Sequence, residues 1–116
     1  MWSFLVTNQF ISKGTSQLLL LGVIAKNKGL SGYQIVKKIK EQTDNKISLK
    51  IGSIYPQLDQ LEKKSLIYKE IESVSESTHM QKAVYTITKT GIQELQNMIS
   101  NWSEFLKIMN DLLIGE

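Results

Sequence analysis

The sequence contains neither cysteine nor arginine. Without thiols, disulfides, thiolate metal ligands and cysteine nucleophiles are excluded, and the composition is compatible with a reducing compartment. Without arginine, all fourteen basic residues are lysines, so bidentate reading of guanine is out of reach and any anion must be met by point charges. Long apolar runs are missing too. The longest, Leu18 to Ala25 with Gly22 inside it, is far short of the ~20 residues of a membrane span. The opening MWSFLVTNQF has no basic front and no small-residue cleavage site, so a secretory signal is not expected. A cytoplasmic location, away from the membrane, is the expectation. No Ser/His/Asp set, glycine-rich phosphate loop or metal signature occurs, which argues against an enzyme and against a cofactor. His79 is the only histidine. With only Glu76 near it in sequence, it reads as a solvated loop residue, and no metal site is expected.

What is present has the composition of a folded globular chain, 41% hydrophobic and 22% charged. A length of 116 residues suits one unit that buries roughly two-thirds of its unfolded surface. The net charge of +3 is unevenly spread. Lys13 to Lys64 hold ten lysines and four acids, whereas Ser65 to Glu116 hold four lysines and seven acids. Such asymmetry suggests that one part of the molecule meets a polyanion. A solvated lysine face on ordinary helices explains the same charges, and both readings stay open on charge alone.

Periodicity divides the chain into four helices and a hairpin. A first helix is expected from Thr15 to Lys26, capped by Thr15 or Ser16 and buried nearly all round. A second follows the capping-box pair Ser31 and Gln34, with Ile35, Val36 and Ile39 inward and Lys37, Lys38 and Lys40 outward. A third carries Ile54, Leu58 and Leu61 at i, i+4 and i+7. Ser53 reads as its N-cap, which puts the chain's one proline, Pro56, at the third helical position. LIYKEIES and AVYTIT read as two short strands joined by a polar loop of about ten residues. From Thr88 or Thr90 a long helix follows. Its Ile92, Leu95, Ile99, Trp102, Leu106, Met109 and Leu113 form an unbroken a/d heptad seam, with Met98, Phe105 and Leu112 as a third apolar row.

Three helices, a hairpin and a helix make a mainly α (α+β) fold: a winged helix-turn-helix head with a two-stranded β wing and a long C-terminal helix. In that arrangement the third helix enters the major groove of DNA with its N-terminal residues. Small residues, Gly52 and Ser53, allow close approach there, and free amide donors at a helix start favour acceptor groups. Tyr55 and Gln57 are expected to project outward, with Lys50, Lys63, Lys64 and the lysines of the second helix on flanking phosphates. Periodicity by itself equally describes an ordinary amphipathic surface helix.

The residues themselves are more specific. LLLLGVIAKNKGLSGYQIVKKIKE, then GSIYPQLDQLEKKSLI, then VYTITKTG resembles the PadR-type transcriptional regulators. Gly32, Tyr33, Gln34 and Ile35 match their second-helix start. Gly52, Ser53, Ile54, Tyr55, Pro56, Leu58, Leu61, Glu62, Leu66 and Ile67 match their third-helix pattern, and Tyr85, Ile87, Thr88 and Gly91 the run that closes the wing. The resemblance covers roughly Leu18 to Gly91. It implies a homodimeric repressor of transcription that binds a pseudo-palindromic site in double-stranded DNA. Residues 1–87 would form the head with its N-terminal extension, and residues 88–116 the dimerisation helix. The candidate DNA contacts are Ser31, Tyr33, Lys37, Lys38, Lys50, Gly52, Ser53, Tyr55, Gln57, Lys63, Lys64 and Lys82. The candidate dimer interface is Trp2, Leu5, Phe10, Ile92, Leu95, Ile99, Trp102, Leu106, Met109 and Leu113. Trp102 and Phe105 also resemble the aromatic residues with which multidrug-sensing relatives hold flat apolar or cationic ligands.

Two departures stand out. Ser65 stands where relatives have glycine, so a residue with a side chain must take the helix-ending conformation. The wing, HMQKAVY, offers only Lys82 and His79 as positive groups, where relatives are strongly basic. Two alternatives to a transcriptional regulator remain at this point: a DNA-organising winged helix of plasmid or phage type, and a winged helix that docks proteins.

Overall fold

The computed structural model describes residues 13–75, 77 and 80–115. Trp2, Leu5, Phe10, Glu76 and His79 therefore lie outside the described residues. The elements run α1 (Lys13–Lys26), α2 (Gly32–Gln42), α3 (Ile51–Lys63), β1 (Ile67–Ser75), β2 (Met80–Ile87) and α4 (Lys89–Leu113). This is the expected winged helix-turn-helix order.

The core forms where the helical apolar stripes converge. Leu20, Leu21 and Ile24 of α1 meet Ile35 and Ile39 of α2 and Ile54, Leu58 and Leu61 of α3. Ile67 and Tyr85 close it from the hairpin and Leu95 from α4. Each such aliphatic side chain contributes about 1.5–3 kcal/mol when withdrawn from water. One buried polar link crosses the core edge, the Gln17 amide donating to Gln60 Oε1 at 2.9 Å and tying α1 to α3.

Three element boundaries differ from expectation. α1 is already helical at Lys13, so Thr15 and Ser16 lie within it rather than capping it. α3 starts two residues before Ser53. Lys50 occupies the N-cap position without a side-chain cap, while the Ser53 hydroxyl donates to the Lys50 carbonyl at 2.7 Å. Pro56 is thus the sixth helical residue, not the third, and the donor that would bond the Gly52 carbonyl is missing. β1 ends at Ser75 and β2 begins at Met80, so four residues separate the strands rather than ten. The strands pair antiparallel from Ile67↔Ile87 to Ser73↔Gln81, with a register shift between Ser73 and Ser75. Ladder bonds need no apolar side chain, so a polar hairpin extends beyond the reach of the core. On its inner side, Leu30 exchanges two backbone bonds with Tyr85, at 3.2 and 2.8 Å, adding a one-residue third strand.

α4 is rooted on the end of α3. Ser65 takes φ 61°, and Leu66 N–H bonds Leu61 C=O while Ser65 N–H bonds Glu62 C=O, the paired closure of a Schellman motif. Thr88 then caps α4, accepting from Gly91 N–H at 2.9 Å. The same hydroxyl donates to the Ser65 carbonyl at 2.6 Å, and Thr88 N–H donates to the Leu66 carbonyl at 3.0 Å. Gly91 lies directly against that Leu66 carbonyl, where any Cβ would overlap it. The glycine is needed for close approach.

Candidate nucleic-acid interface

The start of α2 is built by its capping box. Ser31 Oγ accepts from Gln34 N–H at 3.2 Å, and Gln34 Oε1 accepts from Ser31 N–H at 2.9 Å. Ser31 is therefore committed to the cap and half-buried, whereas Tyr33 beside it is 65% exposed. Gly32 is buried under Tyr55 of α3: a methyl added there would sit 2.8 Å from the Tyr55 hydroxyl. The two helix starts are thus brought together, with Tyr55 leaning on α2 and 43% exposed. Between the helices the chain turns at Asp44 and Asn45, with φ of 52° and 64°, a conformation these residue types tolerate.

The front of α3 is uncovered. Lys50, Ile51, Gly52, Ser53, Tyr55 and Pro56 are exposed, while Ile54 and Leu58 anchor the opposite side. Gln57 is half-buried; its Nε2 donates to the Ser53 carbonyl at 3.2 Å and its Oε1 is enclosed without a hydrogen-bond partner. Lys37 on α2 and Lys63 and Lys64 at the rear of α3 are exposed, and Lys38 is half-buried. Lys82 is half-buried on β2 opposite Glu72 in the ladder, so a carboxylate faces the wing's described lysine on that strand. The Tyr85 phenol lies behind α3, and burial raises its pKa above the ordinary value, with Tyr55, Asp59 and Glu62 adding to the shift.

Sequence reasoning passed over two outward residues, Pro56 and Asp59, both exposed. With α3 beginning at Ile51, Gly52, Pro56, Asp59 and Lys63 fall at i, i+4, i+7 and i+11, opposite the buried stripe. A helical wheel centred on Ile54, Leu58 and Leu61 carries that signal.

α4 presents a second, apolar surface. Leu95 is buried in the core and Met98 and Met109 are half-buried. Ile92, Ile99, Trp102, Phe105, Leu106, Leu112 and Leu113 are exposed. Trp102 and Phe105 have ring centroids 6.1 Å apart, tilted by 32°. They line an open groove shared with Gly14, Thr15 and Leu18 of α1. No helix among the described residues is long and apolar enough to cross a membrane, and no group of metal-ligating side chains occurs among them.

The family model described as the transcriptional regulator PadR-like family matches residues 20–97. The negative transcriptional regulator PadR of Bacillus subtilis is 34% identical over 80 residues, which cover 69% of this chain and 42% of that protein. The chain thus spans less than half the length of that relative. The crystal structure of Bacillus subtilis PadR in complex with operator DNA superposes with a TM-score of 0.64 at 31% identity, covering 72% of this chain and 46% of that one. A transcriptional regulator from Clostridium thermocellum superposes with a TM-score of 0.79 at 23% identity, covering 93% and 98%, and shares the fold.

Proposed function

Because this chain belongs to the PadR-like family of transcriptional regulators, we propose that it acts in the cytoplasm as a homodimeric repressor bound to a pseudo-palindromic site in duplex DNA. The observation that carries this reading is the uncovered front of α3, from Lys50 to Pro56, held outward by the buried Ile54 and Leu58. Ser53 and Tyr55 meet base edges there, joined by Gln57 once its amide turns from the Ser53 carbonyl. Tyr33, at the exposed start of α2, and Ser31, through its cap, steady the approach. Lys37, Lys38, Lys50, Lys63, Lys64 and Lys82 meet phosphates, Lys82 least because Glu72 stands opposite it.

The exposed seam of α4 supports the dimer, residues 88–116 serving as its dimerisation helix on the head formed by residues 1–87. Trp2, Leu5 and Phe10 belong to the same proposed interface. A two-fold pair sets two α3 helices about one DNA turn apart, which suits a pseudo-palindrome. The Trp102–Phe105 groove takes a flat apolar or cationic ligand whose binding releases the DNA.

The decisive measurement is binding to duplexes selected from a random pool, repeated across salt concentrations. An interface of six or more lysine–phosphate contacts loses about a thousandfold in affinity between 50 and 200 mM salt. Binding that ignores salt, or a pool from which no sequence is enriched, overturns the reading and favours a protein-docking winged helix.

A further inference from the structure

The outermost stripe of α3 has an unusual chemistry for a surface that meets a polyanion. Gly52 presents only backbone, and its carbonyl lacks the i+4 donor because Pro56 has no N–H. Pro56 presents an apolar ring. Asp59, one turn further, presents an exposed carboxylate, and Lys63 ends the stripe near the helix C-terminus. Before Lys63, therefore, the centre of the stripe offers acceptors and no donor. A carboxylate set there is repelled by phosphates and gains where it faces a hydrogen-bond donor. In the major groove the donors are the exocyclic amines of cytosine and adenine, and a carboxylate matches cytosine N4, which has no acceptor beside it on the same base.

We propose that Asp59 is a specificity-determining residue: it accepts a hydrogen bond from cytosine N4 at one position of each half-site and rejects other bases there. The inference rests on the DNA-binding reading above and adds to it a base identity. Asp59 gives up affinity for duplex in general and gains discrimination. The lysines at the rim supply the attraction, and the carboxylate decides where it can be satisfied.

The test compares the full chain with its Asp59→Asn and Asp59→Ala variants, each shown to be folded by its circular dichroism melt. Sites are selected from a random duplex pool, and dissociation constants are measured for the selected site with each base pair placed in turn at every position. The wild type is expected to require cytosine at one position by about tenfold. Asn, which pairs with adenine through N6 and N7, shifts the preference at that position to adenine. Ala levels it, and both variants bind random duplex severalfold more tightly. Variants that keep the wild-type motif and its discrimination at every position overturn the role of Asp59 and leave the DNA-binding reading intact. A wild-type chain that enriches nothing overturns that reading, and this inference with it.

Discussion

Ser65 at φ 61° holds a side chain in the left-handed region, where crowding against the following carbonyl costs about 1–2 kcal/mol. The closure it completes, together with the Thr88 and Gly91 contacts, makes this corner the most exacting backbone junction described above. Ser65→Gly removes the crowding, offset in part by the greater freedom of glycine in the unfolded chain. The expected gain is about 0.5–1 kcal/mol in denaturant titrations. Gly91→Ala acts in the opposite sense, since its methyl group meets the Leu66 carbonyl, and overpacking of this kind costs about 1–3 kcal/mol. Equal midpoints for the two variants would contradict this account. The serine conformation was legible because a helix must end before Leu66 and Ile67 can enter a strand. The close approach at Gly91 was not, because it depends on a carbonyl 25 positions earlier in the chain.

At the level of elements, legibility follows the strength of the local signal. The start of α2 was found to the residue, its capping box being written in Ser31 and Gln34. α3 was found by its stripe but misplaced at its start. Ser53 has the right chemistry for a cap, yet packing of Ile54, Leu58 and Leu61 sustains a helix that begins earlier, at a residue with no capping side chain. The error moved the apparent front of the helix by two residues, so Pro56 was read as belonging to its first turn. The hairpin was found but shortened, since SVSES has no apolar alternation to show beyond the core. Between α1 and α4, the open groove at Trp102 and Phe105 leads to a prediction of its own. Planar cationic dyes are expected to quench tryptophan fluorescence saturably, and the quenching is expected to disappear in Trp102→Ala. A dye response unchanged by that substitution removes the ligand from the proposed mechanism.

For the molecule as a whole, shape and surface point the same way. The radius of gyration is 16.2 Å and the longest extent 64 Å, whereas a compact 100-residue domain has a radius near 13 Å. α4 adds to that length, since its 25 residues span about 37 Å while only its first turns reach the core. Beyond them, Ile99, Leu106 and Leu113 face outward, a row of apolar side chains of the kind that helix pairing covers. Replacing Leu106 and Met109 together with lysine is expected to yield monomers by multi-angle light scattering, with weaker binding to palindromic DNA. A dimer that persists places the pairing surface elsewhere. The periodicity of the seam was plain from sequence, because heptads need no knowledge of neighbours. How little of it the head covers was not.

The anchorage at Thr88 also fixes how motion passes through the molecule. α4 is a stiff rod anchored on the Ser65 and Leu66 carbonyls, just past the end of α3. On an arm of about 37 Å, a swing of roughly 5° carries the far tip about 3 Å. The same leverage in reverse turns a small displacement of the tip into a tilt at the very residues where the groove-facing helix ends.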